Sequence, residues 1–102
     1  MANWNKAYRA AAAHAAERQR GVKAQRAMRR FVDAHEKAVA SLLAAFAEGL
    51  IDDATFAREM REEKKALTSE LRASKAIPGA AITAAATSLF TSLDDTVRAE
   101  GA

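Results

Sequence analysis

The sequence predicts an all-α chain, and three observations carry the prediction. Met28, Val32, His35, Val39, Leu42 and Phe46 alternate at intervals of four and three, which lays one apolar stripe along a helix. Phe56, Met60, Leu67 and Leu71 share one side of a second helical segment. Gly49-Leu50-Ile51-Asp52-Asp53 lies between the two, a helix stop followed by a helix start. The architecture expected is a long antiparallel helical hairpin plus a third packed helix and a basic N-terminal helix. Residues 1–102 form one all-α domain in this reading: a basic N-terminal helix over 1–20, the hairpin over 22–76 and a C-terminal helix over 78–100.

In the first arm the stripe repeats closer to every 3.5 residues than every 3.6, which favours a coiled-coil-like partner helix. Gly49 follows the last periodic residue and suits the left-handed conformation that ends a helix. Leu50 and Ile51 are expected to fold back as a plug, and Asp52 or Asp53 to cap the next helix. Five residues in the corner make the arms antiparallel neighbours. Asp33 and Lys37 have the spacing of an i,i+4 ion pair worth about 0.3 kcal/mol. Lys64, Lys65, Arg72 and Lys75 come late in the second arm, where the helix dipole favours cations.

The N-terminal segment opens with Asn3 or Asn5 as a cap. Trp4, Tyr8, Ala12 and Ala15 line one side of it, with Trp4 and Tyr8 as docking anchors; stacking of the same two rings on nucleobases is the alternative. Gly21 marks either a bend or a tolerated glycine in one continuous helix, at about 1 kcal/mol relative to alanine. Ile77-Pro78-Gly79 is a clear break, because proline disfavours helical geometry at Ile77 and can itself start a helix. In the last segment Ile82, Ala86, Leu89, Phe90, Leu93 and Val97 share a face. It packs on the hairpin, or else reaches out to a partner.

The corner resembles the SHOCT-type short helical hairpin over roughly residues 42–71. The residues that carry the resemblance are Leu43, Gly49-Leu50-Ile51, Asp53, Phe56, Lys64 and Leu67. Members of that family usually carry the motif near a C-terminus, whereas this chain continues to Ala102. The resemblance implies an interaction or oligomerisation module and carries no catalytic residue.

The totals narrow the function. A chain of 102 residues makes one small core. Alanine inflates the apolar half of the composition, so burial is expected to be completed by oligomerisation or a partner. There is no cysteine, which removes disulfides and thiolate metal sites and fits a reducing compartment. No apolar run approaches the roughly 18 residues of a membrane span. A location in the cytoplasm, or within a viral particle, follows as the expectation. The Arg- and Ala-rich first thirty residues have the look of an organellar transit peptide but hold no serine or threonine, so they are expected to stay on the chain.

Charge is unevenly distributed. Residues 1–30 hold eight bases against the single acid Glu17, while the rest of the chain has more acids than bases. Lys23, Arg26, Arg30 and Lys37 lie opposite the apolar stripe, a ridge that a phosphate backbone could follow. The candidate partner-binding residues are Arg18, Arg20, Lys23, Arg26, Arg29 and Arg30.

Nothing in the sequence assembles a reaction. His14 and His35 would stand roughly 30 Å apart on a continuous helix, too far to share a metal. His35 reads as a hydrogen-bonded core histidine, Asp52-Asp53 as a cap, and Glu62-Glu63 as a solvated face. No phosphate loop, nucleophile elbow or zinc signature is present. No catalytic, cofactor-binding or metal residue, cofactor or small-molecule substrate is therefore expected. The function expected is non-catalytic: a helical interaction or assembly protein, an adaptor or a phage- or plasmid-type structural or inhibitory protein, binding a protein partner or itself. The alternative is a nucleic-acid-binding accessory protein that grips phosphates. Attachment to a membrane surface by the N-terminal helix is disfavoured, because its apolar face is poor in large residues.

Overall fold

The computed structural model describes residues 3–101 and contains five helices and no strand among them. Met1, Ala2 and Ala102, which the expected domain includes, lie outside the described residues. Helix α1 runs Trp4–Glu17, α2 Val22–Ala34, α3 Glu36–Ala47, α4 Asp53–Ser74 and α5 Gly79–Gly101.

The five helices make four rods, because α2 and α3 continue one another across His35. α1 packs on α2, α3 and α5, and α4 packs on α2, α3 and α5, whereas α1 and α4 face each other across the bundle without contact. The order around the bundle is therefore α1, then the α2–α3 rod, then α4, then α5, each antiparallel to the one before. Tyr8 reaches Val32, Phe46 stacks on Phe56, and Arg98 bonds Asp53, which fixes those directions.

Local chemistry sets the helix ends. Asn3 caps α1 by accepting from the Lys6 amide at 3.0 Å, and Asp52 caps α4 by accepting from the Thr55 amide at 2.7 Å. Of the two candidates at each position, the first in sequence is the cap. Gly21 adopts φ +89° and turns the chain between α1 and α2, so the N-terminal segment bends rather than continuing. Gly49 adopts φ +75°; its amide bonds Phe46 O at 3.1 Å and the Leu50 amide bonds Ala45 O at 2.8 Å. That paired pattern is the Schellman stop. Ile51 then packs on the core, but Leu50 points outward and is 73% exposed. Only half of the expected plug therefore folds back. α4 ends on Lys75 in the left-handed conformation, and Pro78 accepts from the Ile82 amide to open α5.

The core runs through all four rods. Tyr8, Met28, Val32, Val39, Leu43, Phe56, Leu67, Leu71, Ile82, Leu93 and Val97 are fully buried. On α3 the stripe is centred on Leu43, with Leu42 and Phe46 only partly buried. The alternating pattern placed it one residue early, because it assumed a single facing helix, whereas α3 meets α1, α4 and α5. The apolar stripes are covered from within the chain, and α1 supplies part of that cover. The radius of gyration, 13.3 Å, matches a self-contained chain of about 100 residues. Among the described residues no helix is long and apolar enough to cross a membrane.

The long first arm is interrupted at His35. The His35 amide bonds Val32 O at 3.1 Å, a tighter turn than the α-helical one. The same carbonyl accepts from the Tyr8 hydroxyl at 2.5 Å. A side chain inserted into the backbone ladder is a recognised cause of a helix break. Asp33 and Lys37, one on each side, are absent from the ion pairs of the described residues.

Candidate interaction surface

The basic band is built on the α1–α2 corner and on α2. Arg18 and Arg20 project from the corner around Gly21, and Lys23, Arg26, Arg29 and Arg30 from α2; all six are exposed. Ala24, Met28 and Val32 bury the opposite face of α2, which turns the cations outward. None of the six belongs to an ion pair among the described residues. From Arg18 to Val32 the sequence has no carboxylate, and the two that flank the band, Glu17 and Asp33, are absent from the ion pairs of the described residues. The Arg30 guanidinium lies over the Phe31 ring, 5.5 Å from its centroid, which leaves its edges open.

Three polar clusters hold this band in place. In the first, Glu36 accepts from Asn5 and Arg9 of α1, each at 3.0 Å. These bonds hold the Glu36 carboxyl below its usual range; the largest contribution is the hydrogen bond from Arg9, then that from Asn5. In the second, Gln19 at the corner is buried; its side-chain amide nitrogen donates to Ala15 O at 3.3 Å and its backbone carbonyl accepts from the Gln25 side chain at 3.1 Å. Tyr8, buried and bonded to Val32, belongs to the same brace, and burial raises its hydroxyl pKa above the ordinary value, with the charges of Asp33, Glu36 and Glu63 adding to the effect. A fully buried ring cannot stack on a nucleobase, so that alternative fails for Tyr8. Trp4 is half-buried against the core beside a shallow cleft that includes Lys37, Ala40 and Ala44.

The third cluster sits at the break. His35 Nδ1 is 3.1 Å from Glu63 and Nε2 is 2.7 Å from Glu70, both on α4. A neutral imidazole donates from one nitrogen only, so two carboxylates are satisfied together only by the imidazolium. Burial of the ring opposes its charge, but the bonds to Glu63 and Glu70 outweigh it and raise the His35 pKa above 6.5. His35 is thus the hydrogen-bonded core histidine expected, whereas Glu63 departs from the solvated-face reading; Glu62 alone is exposed. The seven-residue spacing of Glu63 and Glu70 was the available signal, since it places both on one stripe of α4. His14 lies on α1 and lines an open groove of about 490 Å³ between α1 and α5, so the two histidines do not share a helix.

At the far end of the bundle a fourth cluster joins three helices. Phe46 and Phe56 stack with centroids 4.2 Å apart. Arg98 lies 5.2 Å from the Phe46 centroid and bonds Asp53 at 2.7 Å and Asp94 at 2.9 Å. No local pattern in the sequence points to this cluster, because Phe46 and Asp53 stand some forty-five residues or more from Arg98. Among the described residues no group of three histidine or acidic side chains is placed to hold a metal ion. Compared with known proteins, the chain matches no family model, no curated protein and no solved structure.

Proposed function

We propose that this chain is a non-catalytic helical interaction protein that works through its outer surface, binding a protein partner as an adaptor or assembly component. The kinds of system that suit it are phage particles, plasmid systems and small inhibitors. The observation that carries the reading is the band Arg18–Arg30: six exposed cations, none in an ion pair among the described residues, held on a corner braced by Gln19, Gln25, Tyr8 and Glu36. Unpaired charge of one sign on a fixed scaffold suits recognition of an acidic surface more than it suits stability. The SHOCT-like corner points the same way, since that family implies an interaction module.

The spacing of Lys23, Arg26, Arg30 and Lys37 supports a second reading, a nucleic-acid accessory protein that tracks phosphates. Titration of binding to duplex DNA against salt separates the two. Phosphate gripping gives a linear fall of log affinity with log salt, about 0.9 per contact. Absence of binding at low salt removes the second reading. The first is tested by Arg26→Glu with Arg30→Glu, expected to keep full helicity while losing the protein partner that the parent chain retains. An unchanged partner profile refutes the basic band as the working surface.

A further inference from the structure

The two ends of the bundle carry opposite charge. At one end the α1–α2 corner and the α4–α5 turn bring together Arg18, Arg20, Lys23, Arg72 and Lys75; the acids there are Glu17 and Glu70, and Glu70 is taken up by His35. At the other end the α3–α4 corner and the last turns of α5 hold Glu48, Asp52, Asp53, Asp94, Asp95 and Glu100. The bases there are Lys6 on the first turn of α1, Arg58 on the second turn of α4, which pairs with Glu59, and Arg98, which is spent on Asp53 and Asp94, so the acids still outnumber them. Each end also exposes one large apolar side chain. Val22, 63% exposed, opens α2 among the cations, and Leu50, 73% exposed, stands in the α3–α4 corner among the acids. They are the large apolar side chains that stand exposed among the described residues.

We propose that the occupant of the basic end is the acidic end of a second copy of this chain, so that copies associate head to tail with Leu50 against Val22. This rests on the assembly reading above and names the partner. Charge complementarity and the apolar pair point to the same occupant. A nucleic-acid backbone would answer the cations but would leave Val22 uncovered and Leu50 without any role. The contact is heterologous: the two surfaces differ, so it does not close on itself and grows into a chain or ring. Cross-section limits its strength. An end of 23 × 18 Å offers about 400 Å² per copy, in the weak and transient class of interfaces. Association is therefore expected at high concentration and low salt, because exposed charge is screened as salt rises.

The test is sedimentation velocity of the full chain across a wide concentration range at low salt, with Val22→Glu and Leu50→Lys as variants. Both positions are exposed and circular dichroism checks that helicity is kept. The parent chain is expected to rise above its 10.9 kDa monomer mass with concentration and to return to it in high salt. Each variant alone is expected to stay monomeric. Val22→Glu keeps an intact acidic end and Leu50→Lys an intact basic end, so an equimolar mixture is expected to form a dimer and stop there. A parent chain that is monomeric throughout overturns the inference, as does a variant that still polymerises or a mixture that does not pair. Mass gained only on adding duplex DNA also overturns it, in favour of phosphate binding. A monomeric parent leaves the wider partner reading to the Arg26→Glu, Arg30→Glu comparison, so the two failures are distinguishable.

Discussion

α2 and α4 are neighbours around the same core and treat their outer faces in opposite ways. α4 interleaves Arg58, Arg61, Lys64, Lys65 and Arg72 with Asp53, Glu59, Glu62, Glu63 and Glu70, so its charges balance along its length. α2 carries Lys23, Arg26, Arg29 and Arg30 with Asp33 as its one acid, at the far end. Their inner faces are alike: Met28 and Val32 on one, Phe56, Met60, Leu67 and Leu71 on the other. The core constrains which residues turn inward and is indifferent to the sign of what turns outward. A helix whose exterior is unbalanced, beside one of similar burial that is balanced, is where binding is to be sought.

The largest effects should come from the shared core and should not distinguish the helices. Met28→Ala on α2 and Leu67→Ala on α4 are each expected to cost about 2–5 kcal/mol in chemical denaturation. A cost confined to α4 would mean that α2 is not part of the same cooperative core. Next comes the brace that ties α2 to α1. Tyr8→Phe removes the hydroxyl from Val32 O and is expected to cost about 1–2 kcal/mol, with α1–α2 contacts loosened first. Stability unchanged within error would show that the bond contributes nothing.

The tie between the α2–α3 break and α4 should respond to pH. The His35 pKa is raised in the folded chain, so the folded state holds a proton that the unfolded state releases near 6.5. Its contribution is complete below that value and is lost as pH rises through the higher folded pKa. Urea midpoints are therefore expected to fall from pH 6 towards pH 8, and His35→Gln to flatten that decline. A midpoint that rises over the same interval would contradict the imidazolium clamp. On the acid side the sign reverses: Glu36 and Asp52 are held below their usual values, so their contributions are present above about pH 4 and fade as pH falls further. The smallest effect on stability is the most informative for function. Arg26→Glu with Arg30→Glu on α2, and Arg61→Glu with Lys65→Glu on α4, should each change stability by no more than about 0.5 kcal/mol, while only the α2 pair abolishes partner binding. Equal losses of binding would erase the distinction between the helices.

Much of the bundle could be read before any coordinates. Gly49, Asp52 and Pro78 punctuate the chain through rules that operate over a few residues, and the α4 and α5 stripes survive unchanged into the core. What escaped depends on distant residues. Ala34-His35-Glu36 gives no local reason for a helix to break; the bond at the break comes from the Tyr8 hydroxyl to Val32 O, across 24 residues. Leu43 displaced Leu42 at the centre of α3 because three helices, not one, lean on it. The basic band was legible as a composition and as a spacing; that Glu17 and Asp33 at its edges leave it unpaired among the described residues was not. The clusters that hold it, His35 with two glutamates and Glu36 with Arg9, join helices and carry only a faint periodic trace.

The division of the rod at His35 has a consequence for motion. A continuous helix from Val22 to Ala47 would open as one unit, whereas two shorter segments joined at a tight turn can exchange their amide hydrogens on separate schedules. The segment with the unpaired cations is thus able to breathe without disturbing α3, and whatever grips it would be felt first as slowed deuterium uptake between Val22 and Ala34.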